Sequence, residues 1–258
     1  MYYRRRKLHL IFGISASITA YCANLVPHTI LLDKLENTVA FYRRGVRLRI
    51  NNKMKELCKE VMDDLKLPEN TQSLLKPFHV CGFKPFQAGT LNKTFGGIIG
   101  IPSNFLFRDT VDAATEKFIV NSKELDWSKV ETNDLLDSLI LSKNAQKYVI
   151  AYEILKIQSN EVYLSAVGFA FWVAFKDAVR CHIEASIDEN ISTLGSNYIK
   201  GGKEYYEKEL KKNIALRSLM EMEGEKCYHI NGNEKPWEFI SLPLTERKRF
   251  FESKYFKL

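Results

Sequence analysis

Residues 76 to 107 read KPFHVCGFKPFQAGTLNKTFGGIIGIPSNFLF, and this stretch decides the class of the fold. Three prolines and five glycines separate short aromatic and β-branched runs, which is typical of strands joined by turns. The sequence on both sides has helical periodicity instead. The chain is therefore predicted to be an α+β protein, predominantly helical, in which a small Gly/Pro-rich β region lies among amphipathic helices.

Several flanking segments carry one apolar face at helical spacing. The first runs from Met54 to Leu65 and is stopped by Pro68. A short strand or hairpin is predicted over 118 to 127. After an amphipathic segment from Asp134, Ser142 can cap a second helix whose apolar face carries Ala145, Tyr148, Val149, Tyr152 and Leu155. Another helix is predicted to begin at Gly201-Gly202, with an apolar stripe that includes Tyr206, Leu210, Ile214 and Met220. The tail, residues 245 to 258, is predicted to dock on the domain.

The charge distribution indicates a membrane and not a nucleic acid. The formal net charge is +7, yet residues 51 to 258 carry 29 basic and 29 acidic residues, so the whole excess lies in the first 50. A nucleic-acid protein would spread Lys and Arg over a binding face. The five cysteines are odd in number and form no C-x-x-C pair, which predicts free thiols.

The segment from Leu8 to Leu32 contains no Asp, Glu, Lys or Arg and is long enough to span a membrane as a helix. We expect residues 1–33 to form a basic N-terminus and membrane anchor, and 34–258 a single α+β domain. A buried helix of a soluble protein and a cleaved secretory signal remain alternatives, and the basic start also suits a mitochondrial import signal. The short apolar segment Val162 to Phe175 interrupts the domain as either a buried core helix or a short or interfacial membrane helix.

The chemistry-bearing residues fit no catalytic pattern. The glycines of 96 to 100 match neither phosphate-binding motif, because Pro102 stands where a helix would begin. Serine nucleophile motifs are missing from the sequence. The pairs His79/Cys81, Cys181/His182 and Cys227/His229 offer metal ligands only by chance proximity. No catalytic, cofactor-binding or metal-binding residue is predicted, and the protein is predicted not to be an enzyme.

Three blocks of the sequence, taken together, resemble the transmembrane protein 177 family. They agree with it in order and approximate spacing across most of residues 54 to 235. The shared motifs are KPF (76–78), AG (88–89), GIP (100–102), DW (126–127), LS (141–142), AQK (145–147), GG (201–202), YEK (206–208), ALRSL (215–219) and GEK (224–226).

This resemblance implies a non-catalytic assembly factor of the mitochondrial inner membrane. Its implied partners are cytochrome c oxidase subunit 2, the assembly chaperone of that subunit, and membrane lipid, with no nucleic acid. The family usually has two membrane segments between the second and third blocks. Only residues 161 to 200 are available here, which is too short for two spans and a turn.

A second resemblance, to membrane-bound zinc peptidases with an A-H-E-x-x-H helix, gives the alternative function. Ala151-Tyr152-Glu153-Ile154-Leu155-Lys156 follows the β region, so Tyr152 and Lys156 stand where the two histidine ligands belong. Asn190 and Ser192 fall near the positions of a third ligand and a supporting acid. The alternative is a metallopeptidase-like enzyme with atypical or lost ligands; equally, any amphipathic helix after a β region gives this layout.

Overall fold

The computed structural model describes residues 19, 22, 23, 25–91, 95–116, 118–120, 123–159, 173–235 and 241–256. Its α-helices are α1 (Leu32–Val39), α2 (Asn52–Asp64), α3 (Glu69–Gln72), α4 (Thr110–Ala114), α5 (Val130–Leu139), α6 (Lys143–Gln158), α7 (Val173–Ser192), α8 (Ser196–Leu219), α9 (Met222–Cys227) and α10 (Leu244–Tyr255). Short 3-10 helices cover Val26–His28 and Ser103–Leu106. The structure is 60% helical, which confirms a predominantly helical mixed fold.

The strands in the described part of the chain are β1 (Tyr42–Arg43), β2 (Val46–Arg47), β3 (Leu75–Val80), β4 (Phe86–Thr90), β5 (Gly96–Pro102), β6 (Ile119–Val120) and β7 (Lys123–Glu124). Strands β3, β4 and β5 coincide with the Gly/Pro-rich stretch that predicts strands, whereas the sequence predicts no strand at β1 and β2. Strand β5 is the centre of a three-stranded sheet, parallel to β3 and antiparallel to β4. The β1–β2 and β6–β7 pairs are antiparallel hairpins, and the second confirms the hairpin predicted within 118 to 127.

Local capping explains where two helices begin. The Asn51 side chain accepts a hydrogen bond from the backbone N–H of Met54 at 2.8 Å, so α2 begins at Asn52. The Ser142 hydroxyl accepts from the N–H of Ala145 at 3.3 Å and caps α6, as predicted. The apolar face predicted for α2 is buried and consists of Met54, Leu57, Cys58, Val61 and Met62.

Helix α6 is the centre of the molecule. Its residues Ala145, Tyr148, Ile150, Ala151 and Ile154 are each at most 1% exposed, because the sheet packs on one side of α6 while α7 and α8 pack on others. One core cluster joins α2, β5, α6, α7, α8 and α10. Burial of this apolar surface is the main stabilising contribution to the fold.

Helix α8 differs from its prediction. It begins at Ser196, so Gly201 and Gly202 lie inside it and do not open it. A Cβ on Gly201 would lie 2.2 Å from the carbonyl oxygen of Asn144, so this glycine allows α8 and α6 to touch. The predicted apolar stripe is only partly correct, because Tyr206 and Leu210 are buried while Ile214 is 46% exposed. Docking of the tail is confirmed by α10, whose Phe251 is fully buried.

The predicted membrane anchor and the apolar segment Val162 to Phe175 lie mostly outside the described residues. The structure does not describe residues 8–18, 20, 21 and 24 of the predicted anchor or residues 162–172 of the apolar segment. Val173–Phe175 belong to the first turn of α7. Among the helices that the structure does describe, none combines the length and the apolar character needed to cross a bilayer. The N-terminal membrane helix and the division at residue 33 therefore stay predictions.

Candidate functional site

Four helices meet around a buried polar cluster, which we call the tyrosine–arginine cluster. It consists of Tyr148 and Tyr152 from α6, Asp188 from α7, Tyr206 from α8 and Arg247 from α10. Tyr148 and Tyr206 are at most 1% exposed, Asp188 is 3% exposed and Arg247 is 8% exposed. A charged residue at such depth must be paired, because desolvation of a lone charge is strongly unfavourable.

The cluster is organised by a bidentate ion pair. Arg247 Nε donates to Asp188 Oδ2 at 2.7 Å, and Arg247 Nη2 donates to Asp188 Oδ1 at 2.9 Å. The Tyr148 hydroxyl also donates to Asp188 Oδ1, at 2.7 Å, and lies 2.5 Å from the Tyr206 hydroxyl. Both carboxylate oxygens of Asp188 are thus occupied by donors from other helices.

Aromatic rings enclose the guanidinium of Arg247. Its Cζ lies 4.7 Å from the ring centroids of both Tyr152 and Tyr206, which is close enough for cation–π attraction. Arg247 Nη1 also donates to the Tyr152 hydroxyl at 3.3 Å. Burial lowers the pKa of Arg247, but the tyrosines and Asp188 raise it by more than burial lowers it. The pKa of Arg247 therefore lies above its ordinary value. Arg247 therefore stays a fixed cation.

The tyrosines of the cluster are held as neutral phenols. Burial raises the pKa of Tyr148, Tyr152 and Tyr206 above the ordinary value of 10.0. The charge of Arg247 lowers each of these three pKa values, but by less than burial raises them. A neutral phenol donates one hydrogen bond and accepts others, which is how these hydroxyls connect Asp188 with Arg247.

The surroundings of Tyr152, Asn190 and Ser192 can be compared with those expected in a zinc peptidase. Tyr152 faces the guanidinium of Arg247 and not an empty ligand position. Asn190 is exposed, and the Ser192 hydroxyl donates to the carbonyl of Glu189 at 2.7 Å, so the positions expected for these two residues were wrong. Within the part of the chain that the structure describes, no three His, Cys, Asp or Glu residues are grouped to hold a metal ion.

Asp188 and Arg247 are the residues that sequence reasoning missed. Asp188 follows Glu184 by one helical turn, beside the buried row Ile183, Ile187 and Ile191. Acids that neighbour such a row at i, i+4 spacing are a sign of a polar contact inside the core. Arg247 lies in a tail with Lys248, Arg249 and Lys254, and nothing in its local sequence distinguishes it from these residues.

A cleft of about 430 Å³ adjoins the cluster. Tyr205 connects the two, because its ring packs against Tyr148 at 5.7 Å and against Tyr206 at 5.4 Å and also lines the cleft. On the opposite side, Lys84 and Glu234 form an ion pair at 2.7 Å. The other lining residues are Pro85, Glu209, His229, Asn233, Lys235, Ser241, Leu242, Pro243 and Leu244.

Buried Glu184 fixes one wall of the cleft. It accepts a hydrogen bond from the backbone N–H of Leu242 at 2.9 Å, which ties the segment before α10 to α7. The pKa of Lys84 is lowered by burial but raised more by Glu234, so it lies above its ordinary value. The cleft is therefore lined by charged groups that are already paired, beside apolar contacts from Leu242 and Leu244.

A second polar group joins α2, α6 and α8. Lys147 Nζ lies 2.6 Å from Asp64 Oδ2 and 3.2 Å from Glu60 Oε1, and the Tyr198 hydroxyl donates to Asp64 at 2.6 Å. The pKa of Lys147 is lowered by burial and raised more by its two acidic partners. Like the tyrosine–arginine cluster, this group links helices through side chains that are mutually satisfied.

The two members of the His79/Cys81 pair lie in different surroundings. His79 is buried in β3 while Cys81 is exposed beyond its end, and Cys58 is buried in α2. Burial raises the pKa of the Cys58 thiol to about 12, so this cysteine is a core residue without thiolate character. The other cysteines in the described part of the chain are free as well.

These features define an α+β protein whose central polar cluster serves to join its helices. The chain is similar to transmembrane protein 177 along most of its length. It is 27% identical to the Rattus norvegicus protein over 251 positions, which cover 81% of this chain and 80% of that protein. For Xenopus laevis the identity is 28% over 278 positions, covering 90% and 89%, and for Homo sapiens it is 26% over 251 positions, covering 81% and 80%.

The resemblance to the transmembrane protein 177 family is confirmed by these relatives. Their shared name describes a membrane protein and contains no enzymatic activity. No protein-family model matches the chain. No solved structure matches it either.

Proposed function

We propose that this chain is a non-catalytic, membrane-anchored assembly and stability factor in the biogenesis of cytochrome c oxidase subunit 2, located in the mitochondrial inner membrane. The observation that carries the proposal is similarity to transmembrane protein 177 over 80–90% of both lengths. The compartment and the role are those that the resemblance implies.

The tyrosine–arginine cluster supports a role in binding and not in catalysis. Catalysis needs a group free to touch substrate, whereas the acid, the cation and the phenols of this cluster bond to one another. Glu153, which would activate a metal-bound water in a peptidase, is 6% exposed and has an interaction partner of its own. The position of the first histidine is taken by Tyr152, which is not a usual zinc ligand.

The proposed partners are subunit 2, the assembly chaperone of that subunit, and the lipid of the membrane. An assembly factor holds a newly made subunit through a rigid surface, and a domain whose helices are joined by buried ion pairs provides one. A membrane anchor would also place this surface next to a membrane-inserted client. The uncharged segment Leu8 to Leu32 is the candidate for the anchor.

Membrane attachment is tested by alkaline carbonate extraction of isolated mitochondria. We expect the full chain to remain in the pellet, as an inserted helix does, because carbonate removes proteins held only by electrostatic contacts. A matrix protein provides the control for release. Recovery of the chain in the supernatant would contradict the anchor.

The assembly role is tested by loss of the protein. Pulse labelling of mitochondrial translation products should show a shorter lifetime of newly made subunit 2, with unchanged synthesis of that subunit. Affinity purification of the tagged full chain should recover subunit 2 or its chaperone. Normal turnover of subunit 2, together with recovery of neither partner, would overturn the proposal.

A further inference from the structure

The β1–β2 hairpin concentrates basic charge at one exposed tip. Its turn residues Arg44 and Gly45 have φ values of +53° and +78°, as in the tight two-residue turns of hairpins. Four arginines lie within residues 43–49. No other seven-residue window of the sequence contains as many arginines.

Most of this charge is not neutralised within the protein. Arg47 pairs with Glu36 and also donates to Asn37 at 3.1 Å. Arg43 approaches Glu116 only to 3.6 Å, and both side chains are largely exposed, so this contact contributes little. Arg44 and Arg49 are exposed and make no ion pair with any other described residue.

Apolar side chains are exposed beside these arginines. Val46 is 71% exposed and Tyr42 is 46% exposed on the hairpin itself. The hairpin therefore presents apolar and cationic side chains together on one exposed surface. Arginine binds lipid phosphates, and tyrosine and aliphatic groups enter the interfacial region of a bilayer.

The hairpin is also held in a fixed position on the domain. The N–H of Phe41 donates to the carbonyl of His79 at 2.8 Å, and the N–H of Cys81 donates to the carbonyl of Val39 at 3.1 Å, which mounts the hairpin on the edge of the three-stranded sheet. Helix α1 precedes the hairpin directly, and its first residue, Leu32, is buried in one core cluster with Ala40 and Phe78. The hairpin is therefore fixed to the domain on both of these sides.

We infer that the hairpin Tyr42–Arg47, together with Arg49, binds the headgroups of anionic lipids and so sets the orientation of the domain against the membrane. The inference rests on the proposed membrane attachment and names the lipid contact. Arg43, Arg44 and Arg49 attract lipid phosphates, while Tyr42 and Val46 enter the interface. Because the sheet holds the hairpin rigidly, this contact orients the whole domain.

The test compares the full chain in nanodiscs of phosphatidylcholine alone with the chain in nanodiscs that also contain phosphatidylglycerol. Hydrogen exchange of the backbone amides of residues 42–49 is the readout. Each basic residue at an anionic surface gains about fivefold in binding, so exchange should be slower in the anionic discs by roughly that factor or more. Added salt should reduce the difference, because it screens exposed charges.

A matched pair of variants isolates the hairpin. Arg43→Gln/Arg44→Gln/Arg49→Gln should abolish the difference between the two discs. The control Lys129→Gln/Lys200→Gln/Arg249→Gln removes the same charge from exposed positions elsewhere and should keep it. Equal exchange in both discs, or an unchanged difference in the hairpin variant, would overturn the inference.

Failure of the anchor gives a different result. A folded chain that does not enter nanodiscs contradicts the anchor, and flotation with vesicles then tests the hairpin alone. In that assay the hairpin variant should bind phosphatidylglycerol vesicles roughly a hundredfold more weakly than the unchanged chain. Binding that is equal for the two proteins would again overturn the lipid contact.

Discussion

Arg247 joins three other helices to α10 through side-chain contacts at one point. Its guanidinium forms an ion pair with Asp188 of α7. It also makes cation–π contacts with the rings of Tyr152 from α6 and Tyr206 from α8, and it is buried. A buried ion pair of this kind adds little net stability compared with well-packed apolar residues. Removal of one partner is different, because it leaves the other charge buried without compensation.

We predict that Arg247→Met lowers the free energy of unfolding by about 3–5 kcal/mol, because Asp188 then remains buried without its cation. The double variant Arg247→Met/Asp188→Leu should lose less than the single variant, since neither charge remains. Guanidinium unfolding of the full chain in mild detergent, followed by circular dichroism, measures both values.

The control lies on the same two helices. Lys254 of α10 pairs with Glu189 of α7 at 2.8 Å, and both side chains are a third or more exposed. Lys254→Met should therefore change the free energy of unfolding by only about 0–1 kcal/mol. If Lys254→Met and Arg247→Met were equally damaging, depth of burial would not explain the effect.

Single residues of the cluster differ in how far sequence predicts them. Tyr148 and Tyr152 lie on the apolar face predicted for the helix that Ser142 caps, and the structure places them in the core or at its edge. The sequence gives no specific prediction for Asp188 or Arg247, because charged residues usually lie at the surface. Their pairing joins positions 59 residues apart, and local periodicity contains no information about a contact at such separation.

At the scale of elements, local signals predict β3, β4, β5 and α2 correctly. Turn residues and the Asn51 cap act within a few positions of each other, so they can be read from sequence. Helix α8 was placed five residues too late, because two adjacent glycines lower helix propensity. Gly201 is explained by tertiary packing, because α6 leaves no room for a Cβ at this position.

Gly201→Ala separates propensity from packing. Helix propensity alone would stabilise the chain by roughly 1 kcal/mol. The new Cβ would lie 2.2 Å from the backbone oxygen of Asn144, so α6 and α8 must move apart. We predict a net loss of about 1–3 kcal/mol in the free energy of unfolding, measured by guanidinium titration.

An exposed position on α8 serves as the reference for this substitution. Asn197→Ala adds helix propensity in the first turn of α8, where the side chain is exposed and no neighbour is displaced. Its free energy of unfolding should stay within about 0.5 kcal/mol of the unchanged chain. A stabilising effect of Gly201→Ala would show that the two helices are not packed as closely as described.

At the scale of the whole molecule, charge is distributed unevenly along the chain, and many charged side chains form ion pairs in the fold. Basic excess is confined to the first 50 residues, while the remaining acids and bases balance and form ion pairs between helices. In acid, 38 Lys and Arg and five His are all positive, so protonation of the acids removes these pairs and leaves self-repulsion. The sequence predicts this balance but not which carboxylates join which helices.

Asp137 shows how one such pair couples stability to pH. It lies in the last turn of α5, and its Oδ2 is 3.0 Å from the Nζ atoms of both Lys211 and Lys208 of α8. Hydrogen bonds from Lys211 and then Lys208 lower the pKa of Asp137 below its ordinary value of 3.8, although burial acts in the opposite direction. A carboxyl with a lowered folded-state pKa stabilises the protein above pH 3.8 and loses that contribution as the pH falls below it.

We therefore predict that Asp137→Asn is less stable than the unchanged chain at neutral pH and that this difference closes as the pH falls below 3.8. The reason is that the unchanged chain loses its ionised Asp137 there, whereas the variant has none to lose. Denaturant unfolding at neutral and acidic pH measures the difference. Glu69→Gln, which removes an exposed carboxylate that forms no ion pair with the other described residues, should give a profile parallel to the unchanged chain. A constant gap between Asp137→Asn and the unchanged chain at every pH would mean that the Asp137 pair does not couple folding to protonation.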